Sequence, residues 1–279
     1  MVLSGKKIIA ALFFCSVSIT SAFAQVQTKK NGFVVSNDKL TTKVEFVTQD
    51  IIHVSKYPKG TDFKNLDIAI ILHSDKTISI KTTNSKNIVQ SNSSSYSISF
   101  DKSTNNLTIS KGGKIVLKEK PQSSILENVL DDGQASYKVS QSFAITKEEA
   151  IYGLGQHQNG IANMRNQRIY MQQKNMDIGI PYLQSTMNYG LFWNNASATN
   201  YSDTLNTITL QSDFGKGIDY YVILGNSSDK VMENYGKLTG TPPMLPLWSF
   251  GYIQSKERYQ SPEEMLDVFK KYRTLQVPL

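Results

Sequence analysis

The residues best suited to binding chemistry stand in two loops, and Asp177 lies in the first. Its segment, 174–181, contains Gly179 and Pro181 and is therefore predicted to be a loop. Loops carry many binding residues, and a carboxylate there can accept hydrogen bonds from a polar ligand. The same carboxylate could instead cap a turn. Asp177 is thus a candidate ligand-binding residue with a structural alternative.

A second group of polar side chains follows an apolar run near the end of the sequence. Residues 247–253 are rich in aromatic and β-branched types and are predicted to form a strand. Gln254, Lys256, Glu257 and Arg258 come directly after it. If this strand opens an α/β barrel, they lie at its C-terminal end, where barrel enzymes place their sites. A solvated loop between strand and helix is the alternative.

Other familiar site patterns are missing from the sequence. It contains no glycine-rich phosphate loop, no Gly-x-Ser-x-Gly segment and no histidine pair at metal-binding spacing, so no cofactor is predicted. His53 and His73 stand alone in strand-like segments and are interpreted as structural or solvated. The glycine segment 153–157, which ends in His157, could bring backbone close to a ligand, although a bend or bulge in a sheet is the favoured interpretation.

A well-marked helix follows the second polar group. Ser261 can cap it, Pro262 fits its first position, and Glu264 completes a capping box. Its apolar residues recur on one face. One strand and one helix do not bury each other's apolar faces as a domain. The segment is therefore expected to be the first βα unit of a larger α/β body that continues beyond Leu279.

The preceding body is predicted to be rich in short strands. From residue 32 to 224, turn residues recur about every eight to twelve positions, as in a sandwich or barrel. Residues 66–72 are among the predicted strands, and the Ser- and Asn-rich stretch 84–95 is predicted to be a loop. A helix is expected from Ser228 to Gly240. A Pro-rich linker follows, and the domain boundary is placed there.

The first 24 residues have the features of a secretory signal. Two lysines precede a short apolar run at 8–19, and Ala22-Phe23-Ala24 supplies a cleavage pattern before Gln25. A retained membrane anchor is the alternative. Cys15 is the only cysteine, so cleavage would leave no thiol for a disulfide, a metal site or a nucleophile. We therefore expect an exported protein, periplasmic or extracellular.

The charge of the chain favours ordinary solubility over nucleic-acid binding. The formal net charge is +7, but the lysines are spread over many segments without a dense basic block. No segment after the signal is apolar enough to suggest a membrane span.

Several segments, in order, resemble glycoside hydrolase family 31. Residues 251–259, with the capped helix behind them, resemble the first barrel strand and helix of that family. Residues 151–155 are similar to its Tyr-Gly-x-Gly element. The segments 181–193, 220–225 and 240–246 are similar to a strand pair and to the passage into the barrel. The resemblance runs from about Ile151 to the end of the sequence.

The resemblance implies a retaining α-glycosidase of α-xylosidase or α-glucosidase type that acts on oligo- or polysaccharides. The implied fold is mainly β, an antiparallel, galactose-mutarotase-like β-sandwich followed by the first βα unit of a truncated (β/α)8 barrel. The expected domains are a signal peptide at 1–24, the sandwich at 25–240, and a linker with the start of the barrel at 241–279. The nucleophile and the acid/base would both be Asp residues on later barrel strands, so this segment alone is expected to be inactive.

By the same resemblance, Asp177 would lie on a sandwich loop that reaches over the active site. Arg258 would sit at the end of the first barrel strand near the substrate hydroxyls, beside Lys256 and Gln254. The expected partner is a carbohydrate, with no nucleic acid and, after signal cleavage, no membrane; the oligomeric state is left open. The alternative is a stand-alone β-sandwich carbohydrate-binding or interaction module.

Overall fold

A computed structural model describes residues 24–64, 67–72, 78 and 80–277. The chain divides into two compact units, with the division between Thr239 and Gly240. Residues 1–23 of the expected signal segment, and His73, lie outside the described residues. Among the described helices, none is both long enough and apolar enough to cross a bilayer.

The first unit is built from strands and ends in one helix. The strands are β1 (Gln25–Lys29), β2 (Gly32–Ser36), β3 (Leu40–Thr48), β4 (Ile51–Pro58), β5 (Lys81–Asn84), β6 (Ile88–Asn92), β7 (Ser97–Asp101), β8 (Asn106–Lys111), β9 (Lys114–Glu119), β10 (Ile125–Asp131), β11 (Gln134–Ala144), β12 (Ile151–Gln156), β13 (Arg168–Met171), β14 (Ile178–Ser185), β15 (Tyr189–Trp193), β16 (Thr199–Thr204), β17 (Thr207–Gly215) and β18 (Ile218–Leu224). The helix is α1 (Ser228–Thr239), where a helix was predicted.

Within the described residues, the strands form two antiparallel sheets. The first sheet has the order β1-β2-β3-β4-β18-β15-β14-β12. The second has the order β13-β16-β17-β11-β9-β8-β7-β6-β5, and β10 also pairs with β11. This arrangement confirms the predicted mainly β, antiparallel sandwich.

The main core lies between the sheets, and a second cluster lies under α1. Along β18, Tyr220, Val222 and Leu224 join the main core, whereas Tyr221 and Ile223 join the cluster that includes residues of α1. Successive side chains of a strand point to opposite faces. From Tyr220 to Leu224 this central strand is therefore continuously apolar or aromatic, because both of its faces are covered.

The strand predicted over 66–72 is wrong. Residues 67–72 form an irregular segment in which the N–H groups of Ile71 and Leu72 donate to the Leu238 carbonyl, at 3.0 and 3.3 Å. Ile70 is buried in the cluster under α1. This apolar run therefore covers the C-terminal end of α1. The N–H groups of Ile71 and Leu72 are satisfied by that helix end instead of by a neighbouring strand.

The loop predicted over 84–95 is also partly wrong, because it contains β6. This strand pairs with β5 on one side and β7 on the other. Its inward positions are Val89 and Ser91, both completely buried. The polar Ser91 bonds to Thr82 across the strand pair at 2.7 Å. A serine at a core position hides the alternation that would indicate a strand.

The second unit contains the predicted capped helix, α2 (Pro262–Thr274). The Ser261 hydroxyl accepts a hydrogen bond from the N–H of Glu264 at 3.2 Å. The Glu264 carboxylate reaches back to the N–H of Gln260 at 2.7 Å. The capping signal is thus confirmed, with the return bond made one residue earlier than in a standard capping box.

The strand predicted over 247–253 is wrong. Its first half is a 3₁₀ helix, Leu247–Phe250, and the rest is irregular. The N–H of Gly251 donates to the Trp248 carbonyl at 3.0 Å, a local bond of the 3₁₀ type. No strand is described between residues 240 and 277. Without a neighbouring strand, the backbone groups are satisfied locally rather than in a ladder.

Candidate substrate-binding site

Asp177 lies at the end of the turn between β13 and β14. The loop predicted over 174–181 is only half correct, because β14 begins at Ile178 and runs through Pro181. Pro181 is not among the paired residues of β14 on either side. A strand tolerates proline where no ladder bond is required of it. Asp177 therefore stands on a tight turn, directly before the first residue of β14.

The Asp177 carboxylate has a different basic neighbour on each oxygen. Lys174 Nζ lies 3.0 Å from Oδ2, and His157 Nδ1 lies 3.6 Å from Oδ1. The hydrogen bond from Lys174 is the main cause that lowers the pKa of Asp177, and the charges of Lys174 and His157 and the Gln158 backbone add to it. The group is 22% exposed, so it is an ionised acceptor that solvent can reach.

The glycine segment before His157 forms an irregularity in the pairing of β12 with β14. The register shifts between Gly153 and Gly155, so the bulge interpretation holds. At Gly155, where φ is +99°, a Cβ would lie 1.9 Å from the Ile178 carbonyl oxygen. Only glycine allows this approach of the two strands next to the Asp177 turn.

A cleft of about 560 Å³ opens beside the same turn. Asp177 is not part of its wall. The wall includes Gln172, Gly179, Pro181, Asn195 and Thr199. Amide and hydroxyl groups of this kind can hydrogen-bond a sugar.

The other predicted site residues belong to the second unit. Gln254 accepts hydrogen bonds from the hydroxyls of Tyr252 and Tyr272, each at 2.6 Å. Lys256 forms an ion pair with Glu264 at the start of α2. Gln254 and Lys256 are therefore tied to the helix or its approach.

Arg258 is held less firmly by other residues than Gln254 and Lys256 are. It forms an ion pair with the adjacent Glu257, at 2.9 Å, and the two side chains are 75% and 84% exposed. A pair this exposed contributes little to stability. The guanidinium is thus accessible as a donor for an external acceptor.

Sequence reasoning did not select Lys174 and His157, the two basic neighbours of Asp177, as site residues. Lys174 could have been found, because it stands three positions before Asp177 in a short turn. His157 could not, because it lies 20 positions before Asp177, with β13 between them. In the described ranges, no three His, Cys, Asp or Glu side chains are placed to hold a metal ion.

His53, interpreted as structural or solvated, is held inside the first unit. Its Nε2 lies 3.1 and 3.0 Å from the two oxygens of Asp219, and its ring stacks on Tyr221 with centroids 4.2 Å apart. These contacts give it a structural role on the outer face of β4.

The first unit is a two-sheet antiparallel β-sandwich, and two family models place the chain among the glycoside hydrolases. Residues 41–201 match the family model described as the glycosyl hydrolase 31 N-terminal galactose mutarotase-like domain. Residues 242–279 match the glycosyl hydrolase family 31 TIM-barrel domain. The chain belongs to glycoside hydrolase family 31.

Relatives and solved structures agree with this assignment. An alpha-xylosidase of Saccharolobus solfataricus is 35% identical over 252 residues, which cover 86% of this chain and 34% of that protein. Alpha-xylosidase A of Aspergillus niger is 28% identical, with coverage of 52% and 20%. A GH31 alpha-xylosidase from a soil metagenome, solved with xylose, superposes with a TM-score of 0.79 at 21% identity, covering 91% of this chain and 40% of that one. The chain thus spans about a third or less of the curated relatives it matches.

Proposed function

We propose that the chain is the N-terminal portion of an exported, retaining α-glycosidase, of α-xylosidase or α-glucosidase type, that acts on oligo- or polysaccharides. The observation that carries the proposal is the 35% identity with an alpha-xylosidase, which extends over 86% of this chain. The cleavage pattern before Gln25 supports export. N-terminal sequencing of exported protein should start at Gln25; a start at Met1 or a lipid-modified Cys15 would refute this part.

The sandwich would contribute Asp177 to sugar binding. Its carboxylate is ionised, reaches solvent and stands at the end of a turn, and a carboxylate accepts the hydrogen bonds that sugar hydroxyls donate. The barrel segment would contribute Arg258, which is exposed, together with Lys256 and Gln254. Guanidinium and ammonium groups donate to hydroxyl oxygens.

Retaining hydrolysis needs two carboxylates about 5–5.5 Å apart, one as nucleophile and one as acid and then base. The family resemblance implies that both are Asp residues on later barrel strands. Residues 242–279 match that domain, and the chain spans 34% of the alpha-xylosidase that it matches. The sandwich and the first βα unit would therefore bind and orient substrate while the rest of a barrel carries out the chemistry.

The experiment begins with the coding DNA beyond the codon for Leu279. An open frame that carries both barrel carboxylates is expected, and its product should hydrolyse an aryl α-xyloside or α-glucoside, whereas residues 25–279 should not. In the longer protein, Asp177→Asn should raise KM about tenfold or more, because one charge-assisted hydrogen bond to substrate is lost.

Asn175→Asp, in the same turn, serves as the matched control for altered charge, and it should leave the affinity largely unchanged. Turnover by residues 25–279 that disappears when one of their own carboxylates is mutated would overturn the proposal. A stop codon after Leu279, with sugar binding retained, would favour the alternative of a stand-alone binding module.

A further inference from the structure

The irregular pairing of β12 with β14 places an unusual backbone next to the Asp177 turn. Gly153, Leu154 and Gly155 all have positive φ, at +112°, +67° and +99°. Left-handed backbone is unfavourable for a leucine. Strain of this kind persists only where the surrounding structure fixes it, and it is concentrated at functional sites.

The strained residue presents its carbonyl to a histidine. Leu154 is 1% exposed, and its carbonyl oxygen lies 2.9 Å from Nε2 of His157. A carbonyl only accepts, so Nε2 must carry the hydrogen. The bond to Leu154 therefore fixes which ring nitrogen is occupied, and Nδ1 is left on the side of Asp177.

We propose that His157 is a positioning residue for Asp177, oriented by the Leu154 carbonyl. Its Nδ1 lies 3.6 Å from Asp177 Oδ1, and its side chain is only 8% exposed. Lys174 holds Oδ2 from the opposite side at 3.0 Å. The carboxylate is thus held between a buried ring on the β12 side and an ammonium on its own turn. This inference rests on the proposed role of Asp177 in sugar binding.

The two basic neighbours have different consequences for a ligand. Lys174 is 53% exposed and flexible, so it can follow the carboxylate or leave it. The His157 ring is fixed by packing and by the Leu154 bond. When His157 is protonated, this rigid neighbour sets the direction of the carboxylate before a sugar arrives, which reduces the ordering cost of binding. Protonation of His157 makes the contact attractive, since Nδ1 then also carries a hydrogen.

Two substitutions separate the positioning role from a structural one. His157→Gln keeps a donor at the place of Nε2 for the Leu154 carbonyl and removes the group that faces Asp177. His157→Asn places an amide donor near the position of Nδ1, which is itself a donor only in the protonated ring, and removes the bond to Leu154. His53→Gln is the control, because His53 also faces an aspartate, Asp219, but on another part of the sandwich.

The first readout needs no sugar. With only three histidines in the chain, ¹⁵N NMR of the imidazoles can be assigned by substitution. We expect the hydrogen of neutral His157 on Nε2. We also expect His157→Gln to move the ¹³C titration midpoint of the Asp177 carboxyl upward without changing the melting temperature, and His53→Gln to leave that midpoint unchanged. A neutral His157 with its hydrogen on Nδ1, or an Asp177 midpoint unmoved in His157→Gln, would overturn the inference.

The second readout is the NMR-measured affinity for methyl α-D-xylopyranoside. His157→Gln should weaken it about three- to tenfold, the effect of a misdirected hydrogen bond, and His157→Asn should restore part of the loss. If Asp177→Asn leaves this affinity unchanged, the proposed role of Asp177 in sugar binding is wrong. The carboxyl titration still decides, by itself, whether His157 positions Asp177.

Discussion

Lys56 and Glu119 join the two sheets inside the sandwich. Lys56 Nζ lies 2.6 Å from the Glu119 carboxylate, and the side chains are 0% and 1% exposed. Glu119 also accepts from the Tyr220 hydroxyl at 2.7 Å and from the Leu107 N–H at 2.6 Å. Burial lowers the pKa of Lys56, while the charge of Glu119 and its hydrogen bond act in the opposite direction. Each ion has exchanged its hydration for the other and for nearby polar groups.

The first prediction concerns this buried pair. Lys56→Met should lower the free energy of unfolding by about 3–5 kcal/mol, because it leaves a buried carboxylate without its cation. Urea denaturation of the purified chain measures the loss. Lys118→Met, at the exposed neighbour of Glu119, should change stability by no more than about 0.5 kcal/mol. A loss below 1 kcal/mol in Lys56→Met would show that the carboxylate finds other compensation.

Pairs of this kind mark the limit of inference from sequence at the level of the residue. Asp177 could be chosen as a candidate because its own loop has Gly and Pro. The partnership of Lys56 with Glu119 spans 63 positions, and that of His157 with Asp177 depends on a bulge. Nothing in the local sequence distinguishes these side chains from the exposed lysines of other strands.

At the scale of the element, the irregular β12–β14 pairing depends on its glycines. Gly155 combines a φ of +99° with a position where a Cβ would lie 1.9 Å from backbone oxygen. Gly160 has a φ of +67° with open space around its Cβ position. Substituting the two glycines in turn therefore separates the cost of an unfavourable φ from the cost of a steric clash.

The second prediction uses that contrast. Gly155→Ala should destabilise the sandwich by about 2–3 kcal/mol or more, because it adds a clash to an unfavourable φ. Gly160→Ala should cost only about 1–2 kcal/mol, the penalty for a left-handed alanine. Thermal and urea unfolding of both variants provide the measurement. Equal losses would mean that β14 moves away from β12 at little cost.

The elements that could be predicted are those whose signals are local. Both α1 and α2 were found from cap residues and apolar periodicity. The errors have tertiary causes: residues 67–72 cover a helix end, β6 has a serine facing inward, and residues 247–253 have no neighbouring strand among those described. In each case a distant partner, or the lack of one, decided the structure against the local pattern.

At the scale of the whole molecule, the two units differ in how they bury their apolar residues. The first has a main core between its sheets and a second cluster under α1. In the second unit, no residue of α2 is buried, and Leu247, Trp248 and Phe250 are 89%, 74% and 72% exposed. Exposed apolar side chains in this number promote association with other surfaces.

The third prediction is that trimming the chain after Gly240 raises its solubility and leaves the melting temperature of the sandwich unchanged. The reason is that both apolar clusters of the sandwich draw all their residues from before Thr239, so their packing is retained while the exposed apolar residues are removed. The solubility limit of the two forms and their calorimetric unfolding provide the measurement. Trp248→Ser with Phe250→Ser in the full chain is the matched control, because it should give part of the solubility gain without removing the segment. A clear fall in melting temperature after trimming would show that residues 241–279 stabilise the sandwich, and the two units would then have to be treated as one folding domain.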